Sequence, residues 1–77
     1  MLVEIYGMEN CIYCDDAVDL AAENQLPILY RELYKEFQME EFVTLFPSAK
    51  TFPQIVVDGI HVGGYADFQE VMEMASE

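Results

Sequence analysis

The stretch LVEIYGMENCIYCDDAVDLAAENQ, residues 2–25, sets the architecture of the rest of the chain. Its first part, Leu2 to Gly7, is apolar and β-branched and reads as a buried strand. Further on, Ala17, Leu20 and Ala21 recur at helical spacing, and Asp15 and Asp16 suit the positive end of a helix. Asn24, Gln25 and Pro27 mark its stop. Between strand and helix stand Cys11 and Cys14, the chain's two cysteines. Two thiols three positions apart are compatible with half a zinc site, a structural staple, or a pair that exchanges electrons.

The chain beyond repeats the alternation. ILYREL (28–33) reads as a second strand. In FQMEEFVTLFP (37–47), Met39, Phe42, Val43 and Phe46 fall at i, i+3, i+4 and i+7, a helix face ended by Pro47. QIVV (54–57), the turn Asp58-Gly59 and IHV (60–62) read as a hairpin. Gly63-Gly64 breaks that pattern, and DFQEVMEMAS (67–76) places Phe68, Val71, Met72 and Ala75 on one helix face with Asp67 as N-cap. The order β-α-β-α-β-β-α predicts one α/β domain over 1–77. A βαβ unit gives parallel pairing, the hairpin adds antiparallel strands, and three helices cover a four-stranded mixed sheet. Cys11 then lies beyond the C-terminal end of the first strand, where open α/β sheets place their sites.

Composition narrows the function. The 15 acidic against 3 basic residues, a net charge of −12, repel nucleic acid and anionic membrane, so neither is expected as a partner. Apolar runs of only about four residues exclude a transmembrane helix or signal-peptide core, and a cytoplasmic, monomeric protein is expected. Structural zinc needs four ligands; besides the cysteines there are only His61 and carboxylates, with no second paired cluster, so no metal is expected. A Cys11–Cys14 bridge closes too small a loop to restrain the unfolded chain. The redox reading remains. A helix N-terminus favours thiolate, which makes Cys11 the nucleophile; Cys14, one turn in, is placed to resolve a mixed disulfide. His61 alternates with Ile60 and Val62 and reads as facing outward.

CIYC (11–14), TFPQIVVDG (51–59) and HVGGYADF (61–68), in this order and spacing, resemble the glutaredoxin motifs CPYC, TVPQ and GGxxD, and the likeness covers essentially the whole chain. The short length resembles glutaredoxins of bacteria and their viruses. The resemblance implies a thioredoxin-like fold and a glutathione-dependent thiol–disulfide oxidoreductase, with glutathione as co-substrate. It implies disulfide-containing proteins as targets, ribonucleotide reductase among the candidates, since some members feed it electrons.

Residue by residue, the likeness places Tyr13 beside the nucleophile. Thr51, Phe52 and Pro53 match the segment whose proline is cis and whose preceding residue pairs with the glutathione backbone. Gly63 and Gly64 match the glycines that let backbone approach the ligand. Tyr65, Ala66 and Asp67 match the segment holding the γ-glutamyl end, and Lys50 is assigned to the glycine carboxylate. Two departures stand out. Ile12 replaces the motif proline, adding a backbone N–H. Glu9, Asp15 and Asp16 surround the thiol with negative charge, which predicts a nucleophile less acidic than is usual for the family. Two alternatives stay open: a redoxin reduced by thioredoxin reductase, and a module binding a [2Fe–2S] cluster, which replacement of the motif proline would permit.

Overall fold

A computed structural model describes residues 1–75. Its elements are β1 (Val3–Gly7), α1 (Ile12–Glu23), β2 (Ile28–Glu32), α2 (Met39–Leu45), β3 (Gln54–Val57), β4 (Ile60–Gly63) and α3 (Tyr65–Ala75). The Ser76 end of the last expected helix lies outside the described residues. The sheet runs β2-β1-β3-β4, with β1 parallel to β2 and antiparallel to β3, and β3 antiparallel to β4. This is the mixed four-stranded sheet with three helices of a thioredoxin-like fold. The hairpin turns at Asp58 and Gly59, both at positive φ (50° and 83°), which suits the right-handed twist of the strands it joins. Asp58 also accepts from the Leu2 N–H at 2.7 Å and donates its own N–H to the Leu2 carbonyl at 2.9 Å, tying the turn to the start of β1.

Successive strand side chains point to opposite faces, and the two faces carry different cores. On one, Val3, Ile5, Ile55 and Val57 pack with Ala17 and Ala21 of α1 and with Phe68 and Met72 of α3. Phe68, Ile5, Ile55 and Val3 are fully buried, each stabilising by about 1.5–3 kcal/mol. On the other face, Leu33, Phe37, Phe42 and Phe46 pack against Tyr6, Phe52 and Val56. Here α2 departs from its expected face: Phe42 is buried, but Met39 is 41% and Val43 55% exposed. A seven-residue helix has room for one contact stripe, and the aromatic cluster supplies the cover instead. Phe37 enters it from before the helix, held by a bridge to Leu33. At the start of α2, the Glu41 carboxylate accepts from the Gln38 N–H at 3.1 Å, half of a capping box.

Candidate active site

The end of β1 is shaped by a missing side chain. A Cβ on Gly7 would run into the phenol ring of Tyr30, so the glycine makes room for that ring beside its own strand. Burial first, then the charges of Glu32, Asp15 and Glu36, push the Tyr30 phenol above its ordinary value and hold it neutral. After Gly7 the chain turns through Asn10, whose φ of 56° is one that Asn tolerates better than most residues.

Cys11 is then the N-cap of α1. Its sulfur accepts from the Cys14 N–H at 3.1 Å, and the two cysteines form a disulfide with Cα atoms 5.2 Å apart. Cys14 is fully buried while Cys11 is partly exposed, so an incoming group reaches Cys11 first. Ile12 and Tyr13, 76% and 62% exposed, form an apolar rim beside it. Asp15 in the first turn opposes extra negative charge there.

A groove of about 710 Å³ runs from this rim across the sheet's end. Every residue matched to glutathione contact lines it: Tyr13, Lys50, Thr51, Phe52, Pro53, Gly64, Tyr65, Ala66 and Asp67. Tyr13 stacks on Tyr65 with centroids 6.0 Å apart, joining the first turns of α1 and α3. The Phe52–Pro53 peptide is cis, and Pro53 is buried. Gly64 lies against the Pro53 carbonyl, 3.6 Å from where a Cβ would stand, so the two loops meet. Gly63, at φ 121°, has the Asp67 carboxylate where its side chain would be; only glycine serves there.

Asp67 is not the N-cap expected from the sequence. The helix opens two residues earlier, at Tyr65, and the Gly64 carbonyl takes the first helical bond from Phe68 N–H at 3.0 Å. Asp67 sits in the first turn and reaches back to accept from the Gly64 N–H at 3.0 Å. Tyr65 and Ala66 thus belong to the helix whose N-terminus faces the groove. His61 faces outward as expected, but it is not without partners. It is solvent-exposed, yet its ring packs on Phe46 at 4.5 Å, and its Nε2 lies 2.7 Å from Gln54 Oε1, both residues lining the groove. The hairpin register pairs Val56 with His61, so a sequence reading that followed the Asp58-Gly59 turn inward could have found it on the face of Val56 and Gln54.

Among the described residues no group of three or more His, Cys, Asp or Glu side chains could hold a metal ion, and no helix is long and apolar enough to cross a membrane. A disulfide-forming cysteine pair at the head of the first helix of a thioredoxin-like fold defines the class. A model of the glutaredoxin family matches residues 3–62, and the chain belongs to that family. Glutaredoxin 1 of Rickettsia felis is 36% identical over 64 residues, which cover 78% of this chain and 61% of that protein. The chain therefore spans about three fifths of the length of the curated relatives it matches. Among solved structures, oxidised Escherichia coli glutaredoxin is similar at 32% identity and a TM-score of 0.76, covering 95% of this chain and 94% of that one. Glutaredoxin 1 of Francisella tularensis, at 23% identity, shares the fold with a TM-score of 0.80 over 99% and 98% of the two chains.

Proposed function

We propose that this chain acts, as one domain over 1–77, as a glutathione-dependent thiol–disulfide oxidoreductase that reduces protein disulfides and glutathione mixed disulfides. One observation carries the reading: the partly exposed Cys11, bonded to buried Cys14, stands beside a groove lined by every residue matched to glutathione contact.

The Cys11 thiolate, favoured by the helix N-terminus, attacks one sulfur of a substrate disulfide. The substrate S–S bond breaks, one thiolate leaves and takes up a proton, and Cys11 holds the other half as a mixed disulfide. Cys14, deprotonated in turn, attacks the Cys11 sulfur; the second substrate thiol leaves and the Cys11–Cys14 disulfide remains. Two electrons have passed to the substrate. Two glutathione molecules return them, the first by forming a mixed disulfide on Cys11, the second by displacing it as glutathione disulfide. Lys50 receives the ligand's glycine carboxylate, while Tyr65, Ala66 and Asp67 receive its γ-glutamyl end. The chemistry suits a monomer in the cytoplasm, where the glutathione pool is reducing. Ribonucleotide reductase is the first protein target to assay.

The test is turnover with glutathione, glutathione reductase and NADPH. Cys11→Ser abolishes it, whereas Cys14→Ser keeps activity on glutathione mixed disulfides. Turnover with thioredoxin reductase but none with glutathione would mean a different electron donor, and silence with both would favour cluster binding.

A further inference from the structure

We propose that His61 and Gln54 form a positioning pair that presets the Thr51–Phe52 peptide for a peptide-like thiol ligand, an inference that rests on the glutathione reading above. Gln54 is the buried polar residue of the sheet, only 5% exposed. A buried amide is costly unless both its ends are hydrogen-bonded, and here both are. Its Nε2 lies 2.9 Å from the Thr51 carbonyl and its Oε1 lies 2.7 Å from His61 Nε2. The Thr51 oxygen only accepts, so the amide NH2 of Gln54 must face it. Gln54 Oε1 therefore faces His61 and accepts, and the proton of the imidazole sits on Nε2. Phe46 holds the ring from below, with centroids 4.5 Å apart.

The consequence falls on the other side of that same peptide. The Thr51 carbonyl and the Phe52 N–H belong to the same peptide plane, which is trans, so the two point in opposite directions. Fixing the carbonyl on Gln54 turns the Phe52 N–H away from Gln54 and fixes its direction before any ligand arrives. That N–H belongs to the residue matched to pairing with the ligand's backbone. With the peptide set in advance, binding does not have to order it. His61 does not touch the ligand in this account; it acts through Gln54.

The experiment is titration of the oxidised protein with S-methylglutathione, a ligand unable to exchange disulfides, followed by calorimetry and by the NMR signal of the Phe52 amide. Wild type binds and shifts that signal. His61→Phe keeps an aromatic ring on Phe46 but removes the donor, and weakens binding roughly three- to tenfold. His61→Gln returns an N–H donor and restores most of the affinity, which recovery of packing alone would not do. Gln54→Met, which removes both bonds, weakens binding at least as much as His61→Phe. Equal affinity of wild type and His61→Phe overturns the pairing while leaving the glutathione reading intact. Loss in His61→Phe with no recovery in His61→Gln, matched by a fall in melting temperature, makes the effect one of packing and also overturns it. No binding by wild type overturns the glutathione reading, and the pairing with it.

Discussion

The two faces of the sheet divide the work of this small protein. The face under α1 and α3 is mainly aliphatic and sealed: Val3, Ile5, Ile55, Ala17, Ala21 and Phe68 are wholly buried. It anchors the helix that presents the sulfurs. The face under α2 is aromatic and thinner, with Phe42 stacked on Phe52 at 4.4 Å and Tyr6 edge-on to Phe37 and Phe46. That cluster ends in the groove, because Phe52 belongs to both and His61, which lines the groove, packs on Phe46. One face holds the chemistry in place, and the other shapes what binds to it.

The sharpest way to break this contrast is on the sealed face. Phe68→Ala leaves a cavity in the sealed core and costs about 4–5 kcal/mol, a large fraction of the stability of a domain of this size. Circular dichroism through a urea titration reads it directly. Phe42→Ala costs about 3 kcal/mol, less because an exposed short helix can settle into the gap. It also weakens S-methylglutathione binding through Phe52, a double effect that a conservative change on the sealed face, such as Ile55→Val, lacks. Comparable loss of affinity in Ile55→Val would erase the distinction.

Much of the sealed face was legible in the sequence. The apolar run into Gly7, the small residues Ala17 and Ala21, and the Asp58-Gly59 turn each set local structure by their own stereochemistry. The positions of Cys11 and Cys14 follow from those elements. The aromatic face was harder to read, because its contacts join residues distant in sequence. Met39 and Val43 share the helical period of Phe42, yet the short helix turns both outward. Gln54 and His61 share a face through the register that the Asp58-Gly59 turn sets, but alternation alone gives His61 only an outward position and not its bond to Gln54. Tyr30 is explained only by the glycine on the neighbouring strand.

Smaller effects sharpen the comparison at the groove's rim. Asp67→Ala removes the acceptor for the Gly64 N–H and a negative charge at the positive end of α3, costing about 1 kcal/mol; Asp67→Asn keeps the acceptor and loses less. Thermal unfolding of the two variants separates the hydrogen bond from the charge. The smallest effect concerns pH. The folded state raises the Tyr30 pKa, so it holds that proton more tightly than the unfolded chain does. The associated stability is complete below the unfolded value of about 10 and is lost as pH rises through the folded one. Tyr30→Phe, having no proton to lose, shows a smaller drop in urea midpoint between about pH 8 and about pH 11 than wild type.

In the mechanism proposed above, Cys11 takes the glutathionyl group and Cys14 resolves it. Its most direct test is mass spectrometry of the Cys14→Ser protein after treatment with glutathione disulfide, beside Cys11→Ser treated in the same way. A single glutathione adduct on Cys11 in the first, with little or none on Cys14 in the second, is the predicted result. Equal adducts on either cysteine, or none on Cys11, would contradict the account.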